Sequence, residues 1–284
     1  GAGVARVGAL IAVGRTSNVY EYGSDAVVKI PRPGVPGHWA ALEAGFTRAV
    51  NSLGVPAPDC IELTRFEGRD AIVFARLEGR TLWEHMSDDP QRIRELAGLL
   101  AETHRRIFAA GPADGLRGLI ARIRMKLQDV HQISDTERDE ADLAAQELPA
   151  GAALLHGDLH PGNVLLTDDG PVAIDWFDAS VGHPVGDIVR SSMLMRPFGD
   201  RGDPPHLPGA DVDTLELLHD SYLDAMSDEL QVPLEQLHRW ETLVAASRLS
   251  EGAQSDGPAL LALWQARHEP PSGPLVEAIS RRRS

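Results

Sequence analysis

Residues 156–175 constrain this chain more than any other part of it. They read His-Gly-Asp-Leu-His-Pro-Gly-Asn, then a short apolar run, a turn cluster of Asp-Asp-Gly-Pro, and Val-Ala-Ile-Asp. Two apolar runs on either side of such a cluster predict a β-hairpin with a tight turn. Positions 163 and 175 lie symmetrically about 169, so we expect Asn163 to face Asp175 with Cβ atoms roughly 4.5–5.5 Å apart.

Three polar side chains of this segment have the chemistry that phosphoryl transfer requires. Asp158 lies on an irregular loop before the hairpin, where its carboxylate can accept a proton from an attacking hydroxyl. Asn163 and Asp175 offer oxygen ligands, and Mg²⁺ needs few of these because water and phosphate fill its other positions. The spacing therefore predicts a base beside a magnesium site, whereas Asp168 and Asp169 are interpreted as turn residues only.

The N-terminal residues predict a small sheet that carries one lysine. Residues 7–30 read as three strands, with a single glycine, Gly14, at the first turn and Lys29 near the end of the third strand. An unpaired lysine inside an apolar lobe is costly, so a carboxylate partner is expected. Glu43, on a helix predicted over 38–50, fits that role.

Beyond residue 80 the pattern becomes mostly helical. The helix after Pro90 carries His104 on its apolar face, which predicts a hydrogen-bonded core histidine rather than a ligand. Residues 197–210 predict a loop that forms the rim of an acceptor site, and Arg281–Arg283 a solvated terminus. The other helices are predicted within 116–148 (two helices) and over 184–195, 211–230, 233–251 and 256–268.

Four acids recur every four residues in the predicted helix 211–230 and share one of its faces. Two interpretations stay open: a solvated outer face, or a wall of carboxylates that meets a polyamine substrate. The four acids are Glu216, Asp220, Asp224 and Asp228.

Charge and composition exclude several classes of protein. The net charge of −15, from 42 acids and 27 bases, argues against non-specific nucleic-acid binding and is compatible with a cationic partner or with solubility alone. The single cysteine, Cys60, excludes disulfides and cysteine-rich metal sites, and we expect it to be a small buried residue in a cytoplasmic protein. No apolar stretch approaches the length of a transmembrane helix, and no secretory segment is expected.

The string His156-Gly157-Asp158, with Asn163 and then Ile174-Asp175-Trp176, resembles the catalytic loop of the aminoglycoside phosphotransferase family, a branch of the protein-kinase-like fold. The resemblance implies an α+β chain of two lobes: a small β-rich N-lobe over 1–76 and a larger helical C-lobe over 77–284. It implies Asp158 as catalytic base, Asn163 and Asp175 as metal ligands, and Trp176 in the place of the kinase D-F-G phenylalanine. It also implies that Asp187 braces the catalytic loop.

The same resemblance implies a nucleotide site between the lobes. Lys29 would hold the α- and β-phosphates and Glu43 would orient it. The loop at Gly14 lacks the further glycines of G-x-G-x-x-G, and Ser17 stands where such family loops meet phosphate. Adenine would bind the backbone near Ala75 and Leu77, after the predicted hairpin of 61–66 and 70–75.

The implied activity is ATP- and Mg²⁺-dependent phosphorylation of a hydroxyl on a small, cationic molecule. An aminoglycoside or aminocyclitol is the first choice, with Asp178 as a further candidate near the acceptor alcohol. Kinases of choline, homoserine, methylthioribose, macrolides or fructosamines remain alternatives on the same scaffold. So does a non-catalytic ATP-binding protein, although retention of Lys29, Asp158, Asn163 and Asp175 argues against it. The oligomeric state cannot be read from the sequence.

Overall fold

The computed structural model describes residues 6–197, 204, 206–252 and 256–284, so most of the predicted rim loop lies outside the described residues. We call the first sheet and its helix the N-lobe and the remainder the C-lobe. The N-lobe consists of β1 (Val7–Val13), β2 (Ser17–Tyr22), β3 (Ala26–Pro31), α1 (His38–Ser52), β4 (Cys60–Phe66) and β5 (Arg69–Ala75).

The N-lobe sheet is antiparallel, with strand order β1-β2-β3-β5-β4. Val28 and Ile30 of β3 belong to the apolar cluster on one face, whereas α1 covers the other face next to Ile72 and Phe74. Because successive side chains of a strand point to opposite faces, Lys29 is directed to the α1 side. The alternation of β3 thus brings the lysine to the helix that carries Glu43.

The C-lobe is mostly helical and contains two small sheets. One sheet has strand order β6-β8-β9, and the other pairs β10 with β7. The strands are β6 (Arg80–Thr81), β7 (Ala153–Leu155), β8 (Val164–Thr167), β9 (Gly170–Ala173) and β10 (Ser180–Gly182). The helices are α2 (Leu82–Asp88), α3 (Ile93–Ala109), α4 (Leu119–Leu127), α5 (Asp135–Gln146), α6 (Pro184–Met195), α7 (Val212–Ala225), α8 (Leu234–Arg248), α9 (Gly257–Gln265) and α10 (Pro274–Arg283).

The largest apolar cluster lies mainly in the C-lobe and joins its helices to the small sheets. It joins Leu100 of α3, Leu154 of β7, Ile188 of α6 and Trp240 of α8, all fully buried. Proline and side-chain caps fix several helix starts, as at Asp89, whose carboxylate accepts the N–H of Gln91 ahead of α3. In the described part of the chain, none of the helices has the length and apolar character needed to cross a membrane.

The C-terminal residues correct one prediction. Residues 274–283 form α10, and Arg282 is not a solvated terminal residue: its Nη2 lies 3.0 Å from Asp220 Oδ1 and its Nε lies 2.7 Å from Asp224 Oδ1. The four-residue spacing places both acids on one face of α7, where a single guanidinium can bridge them. This pairing favours the interpretation of the four α7 acids as a solvated outer face.

A second correction concerns Cys60, at the start of β4. It was predicted to be buried, and it is half-exposed.

His219 makes the packing of α7 on α6 sensitive to acid. Its ring is buried, and its Nε2 lies 2.7 Å from Ser192 Oγ. Burial, reinforced by the charges of Arg196, Arg282 and Arg281, lowers the pKa of His219 to about 3. The unfolded chain gains a proton at this residue below about pH 6.5, whereas the folded chain does not. The stabilisation is therefore complete above that pH and is lost progressively as the pH falls.

We expect His219 alone to reduce the free energy of unfolding by roughly 2 kcal/mol between pH 7 and pH 5. His219→Gln, which keeps a polar atom for Ser192, should flatten this part of the stability curve. Urea denaturation at pH 7, 6 and 5 measures the slope, with His131→Gln, at an exposed site, as the control. A wild-type slope in His219→Gln would contradict the assignment.

Candidate active site

One buried carboxylate, that of Asp187, holds the segment 156–163, which we call the catalytic loop after the family string that it resembles. It accepts the main-chain N–H groups of His156 and Gly157 at 2.8 and 2.9 Å, and His104 Nε2 lies 2.9 Å away. Burial alone would raise the pKa of Asp187, but hydrogen bonding and charge from His104 and His156 lower it. His104 is completely buried, and its Nδ1 lies 2.7 Å from the Tyr222 hydroxyl. The predictions of Asp187 as a brace and His104 as a core histidine are confirmed.

The loop held by this brace leaves the carboxylate of Asp158 partly exposed. Asn163 Nδ2 donates to the Asp158 main-chain oxygen at 2.9 Å and lies 3.3 Å from Oδ2. Arg190 Nη2 donates to Oδ1 at 3.0 Å, and 27% of the Asp158 side chain remains exposed. Asp158 is thus fixed on its protein side and open on the other, as a base that meets a substrate hydroxyl must be.

The hairpin after this loop differs from the predicted register by one residue. Thr167 pairs with Gly170, so only Asp168 and Asp169 form the turn and residue 163 faces 174: Ile174 N–H donates to the Asn163 oxygen at 2.9 Å. The predicted centre at 169 would have required a three-residue turn. Asp175 therefore lies one residue beyond the pair, and its left-handed backbone (φ 64°) turns its side chain out of the strand direction.

That turn brings Asp175 to Lys29. Lys29 Nζ lies 2.6 Å from Glu43 Oε1 and 2.9 Å from Asp175 Oδ1, so the predicted Lys29–Glu43 pair is present. Burial opposes the charge of Lys29, but Asp175 and Glu43 together raise its pKa. The hydroxyl-bearing Ser17, at the start of β2, lines the same cleft and is 8% exposed.

The connection between the lobes offers main-chain groups of the kind that bind a purine. The N–H groups of Ala75 and Arg76 already donate to the oxygens of Asp59 and Asp25, each at 2.9 Å. Ala75 can therefore offer only its carbonyl oxygen. Across the part of the chain that the structure describes, no protein acceptor takes the N–H of Leu77.

The predicted metal ligands fit a magnesium ion by their chemistry. Asn163 uses its Nδ2 for both contacts with Asp158, which leaves its amide oxygen for a cation. The Asp175 side chain is 42% exposed and contacts Lys29 through one oxygen only. Amide and carboxylate oxygens without nitrogen or sulfur suit Mg²⁺.

Comparison with known proteins identifies the family. The model of the phosphotransferase enzyme family APH matches residues 8–210. The chain belongs to this phosphotransferase family. A curated relative, the uncharacterized protein YcbJ of Bacillus subtilis, is 25% identical over 193 residues, which are 63% of this chain and 61% of the relative. The match therefore spans less than two thirds of that relative's own length.

Solved structures confirm the predicted α+β, kinase-like fold of this family member. The GDP and kanamycin complex of APH(2")-IIIa aligns with a TM-score of 0.53 and 17% identity, over 98% of this chain and 95% of that one. APH(3'')-Id from Streptomyces rimosus gives 0.59 and 14%, over 86% and 93%. A choline/ethanolamine kinase family protein from Mesorhizobium loti gives 0.55 and 16%, over 96% and 91%.

Asp178, the predicted substrate contact, is held by cations of the protein. Its carboxylate accepts hydrogen bonds from Arg122 and from Lys126 Nζ, the latter at 3.2 Å, and its side chain is 15% exposed. Burial would raise the pKa of Asp178, but the charges of Lys126, Arg190 and Arg122 lower it. Asp178 is therefore an ionised carboxylate that is already paired.

The sequence analysis missed two residues near Asp158: Arg190, which contacts it, and Glu251, which contacts Arg190. Arg190 follows Asp187 by three residues on α6, so the helical period places both side chains towards the catalytic loop. That spacing could have identified Arg190. Glu251 lies in a turn after α8, and no local pattern of the sequence connects it to residue 158.

Gly157 allows the loop to approach Asp178 closely, which yields a test of the loop geometry. Its φ is 79°, and a Cβ there would lie 2.2 Å from the Asp178 carbonyl oxygen. Gly54→Ala has the same sign of φ but open space, so it should lose about 1–2 kcal/mol of unfolding free energy. Gly157→Ala should lose about 1–3 kcal/mol more, because the clash adds to the backbone strain.

Chemical denaturation of both variants measures this difference. Equal losses in Gly157→Ala and Gly54→Ala would show that the loop does not pack against residue 178 as described.

Proposed function

We propose that the protein transfers the γ-phosphoryl group of ATP to a hydroxyl of a small molecule, with an aminoglycoside or aminocyclitol as the first choice. One observation carries the proposal: Asp175 contacts the ion-paired Lys29, and the loop before the hairpin that leads to Asp175 carries the base candidate Asp158, held by Asn163. The kanamycin complex of a protein with the same fold supports the choice of acceptor.

In this mechanism Lys29 binds the α- and β-phosphates, and Glu43 keeps it oriented. The N–H of Leu77 and the carbonyl of Ala75 bind adenine, and Ser17 contacts phosphate. Asn163 and Asp175 would hold Mg²⁺, which would supply positive charge to offset that of the phosphate oxygens.

Asp158 then acts on the acceptor alcohol. It accepts a hydrogen bond from the hydroxyl and so aligns the oxygen with the γ-phosphorus. The new O–P bond forms as the bond to the bridging oxygen of ADP breaks, and the proton passes to the Asp158 carboxylate. The transition state is loose, so the proton moves late and alignment is the larger part of the catalytic effect.

A second candidate acceptor is a less cationic alcohol such as choline, homoserine, a macrolide or a fructosamine. The state of the carboxylates favours it: Asp178 is paired with Arg122 and Lys126, and Asp220 and Asp224 are paired with Arg282. These acids do not form an unpaired wall for several ammonium groups. The fold of a choline/ethanolamine kinase family protein is also similar.

The test is Mg·ATP consumption with a panel of aminoglycosides, aminocyclitols, macrolides, choline, homoserine and fructosamines. We expect turnover with one class, and Asp158→Asn should lower it roughly 10²–10⁴-fold while the nucleotide dissociation constant stays unchanged. Asp169→Asn, at the exposed hairpin turn, is the matched control and should keep full activity.

Turnover on an aminoglycoside would support the first choice, and turnover on another alcohol would support the second. Near-wild-type turnover in Asp158→Asn would contradict the role of the base. Nucleotide binding without turnover on any compound would favour a non-catalytic ATP-binding protein.

A further inference from the structure

Arg190 connects the catalytic loop to the C-terminal part of the chain. Its Nη2 donates to Asp158 Oδ1 at 3.0 Å, its Nη1 donates to Glu251 Oε1 at 2.7 Å, and its Nε donates to the Gly157 carbonyl oxygen. Only 9% of Arg190 is exposed. One planar guanidinium therefore contacts both the main chain and the side chain of the loop that carries the base.

Glu251 is the anion that fixes this guanidinium. Lys126 Nζ lies 2.8 Å from its Oε1, and Arg15, in the β1–β2 loop of the N-lobe, donates to its main-chain oxygen at 2.6 Å. Burial would raise the pKa of Glu251, but the charges of Arg190, Lys126 and Arg248 hold it well below the usual range. Glu251 lies beyond residue 210, where the match to the family ends.

Asp158 needs such a support because Asn163 holds its main chain more closely than its carboxylate. The short bond from Asn163 reaches the Asp158 main chain, whereas the contact to the carboxylate is longer, at 3.3 Å. A charge-assisted bond from an immobilised arginine restricts the side-chain torsions and leaves one edge of the carboxylate for the substrate. Small displacements of a base have large effects, since a misplacement of about 1 Å can lower the rate roughly 100-fold.

We propose that Arg190 is a positioning residue for the base Asp158, and that Glu251 from the C-terminal region holds Arg190 in place. The inference rests on the proposed function, because it concerns the alignment of the base in that reaction. It adds the requirement that a residue beyond the family-matched segment, Glu251, takes part in aligning the base.

The experiment compares Arg190→Met, Arg190→Lys, Glu251→Gln and the double variant Arg190→Met/Glu251→Gln. Arg267→Met is the matched control. Arg267 forms a bidentate pair with the carboxylate of Glu140, which lies on α5 and away from Asp158. Each protein is assayed with the acceptor found in the panel, or for ATP hydrolysis if none is found. Measured are kcat, KM for ATP, the ADP dissociation constant and the midpoint of thermal unfolding.

We expect Arg190→Met to lower kcat roughly 10- to 100-fold with less than about a twofold change in KM for ATP. Arg190→Lys should recover part of kcat, and Glu251→Gln should lower it less than Arg190→Met does. The double variant also takes from Lys126 and Arg248 their carboxylate partner Glu251, so its unfolding midpoint should fall below that of Arg190→Met. Its kcat should stay low as well. Arg267→Met should keep the wild-type kcat.

Two results would overturn the inference. One is a wild-type kcat in folded Arg190→Met, and the other is recovery of kcat together with stability in the double variant, which would reduce Arg190 to a purely structural residue. Failure of the proposed function looks different, because Asp158→Asn itself would then retain activity. If Asp158→Asn is inactive and Arg190→Met is not, only the role of Arg190 is wrong.

Discussion

The site depends on one carboxylate with three donors. Asp187 accepts two consecutive N–H groups of the catalytic loop and contacts His104, which in turn contacts Tyr222. Each hydrogen bond to a buried charge contributes about 1.5–3 kcal/mol, so the loop conformation is fixed although residues 156–160 form no helix or strand. Through this series of hydrogen bonds, α3, α6 and α7 together determine the orientation of Asp158.

The chain as a whole is strongly acidic, whereas its buried charges near the cleft are paired. The protein carries 15 negative charges in excess, yet the groups around the cleft alternate in sign and each buried cation contacts at least one carboxylate. Lys29 has two such partners, and Arg190 contacts Asp158 and Glu251. Burial makes an unpaired charge expensive, so pairing dominates inside. The excess acids lie on exposed faces such as that of α7.

Features that depend on local period or on the family string could be predicted from the sequence. These include the Lys29–Glu43 pair, the brace at Asp187 and the core position of His104. The hairpin register was wrong by one residue, because symmetry of the apolar runs does not reveal the number of turn residues. Helix α10 and the contact of Glu251 with Arg190 were missed because both depend on pairing between distant parts of the chain, for which one sequence gives no signal. The lobe boundary at 76 and the roles of all predicted site residues remain predictions: Asp158, Asn163 and Asp175 at the phosphoryl-transfer site, Ser17, Lys29, Glu43, Ala75 and Leu77 at the nucleotide, and Asp178 at the substrate.

The turn between β8 and β9 has two residues, and it tolerates changes of side chain better than changes of length. Asp168 and Asp169 are exposed, and their side chains can change with little effect on the core. An insertion matters more: an added residue that enters β9 instead of lengthening the turn would exchange the inward and outward side chains of that strand, because strand residues alternate between faces. Asp175 would then leave Lys29, while β8 and its loop stayed intact. Substitutions at this turn are therefore tolerated, whereas insertions that shift β9 are not.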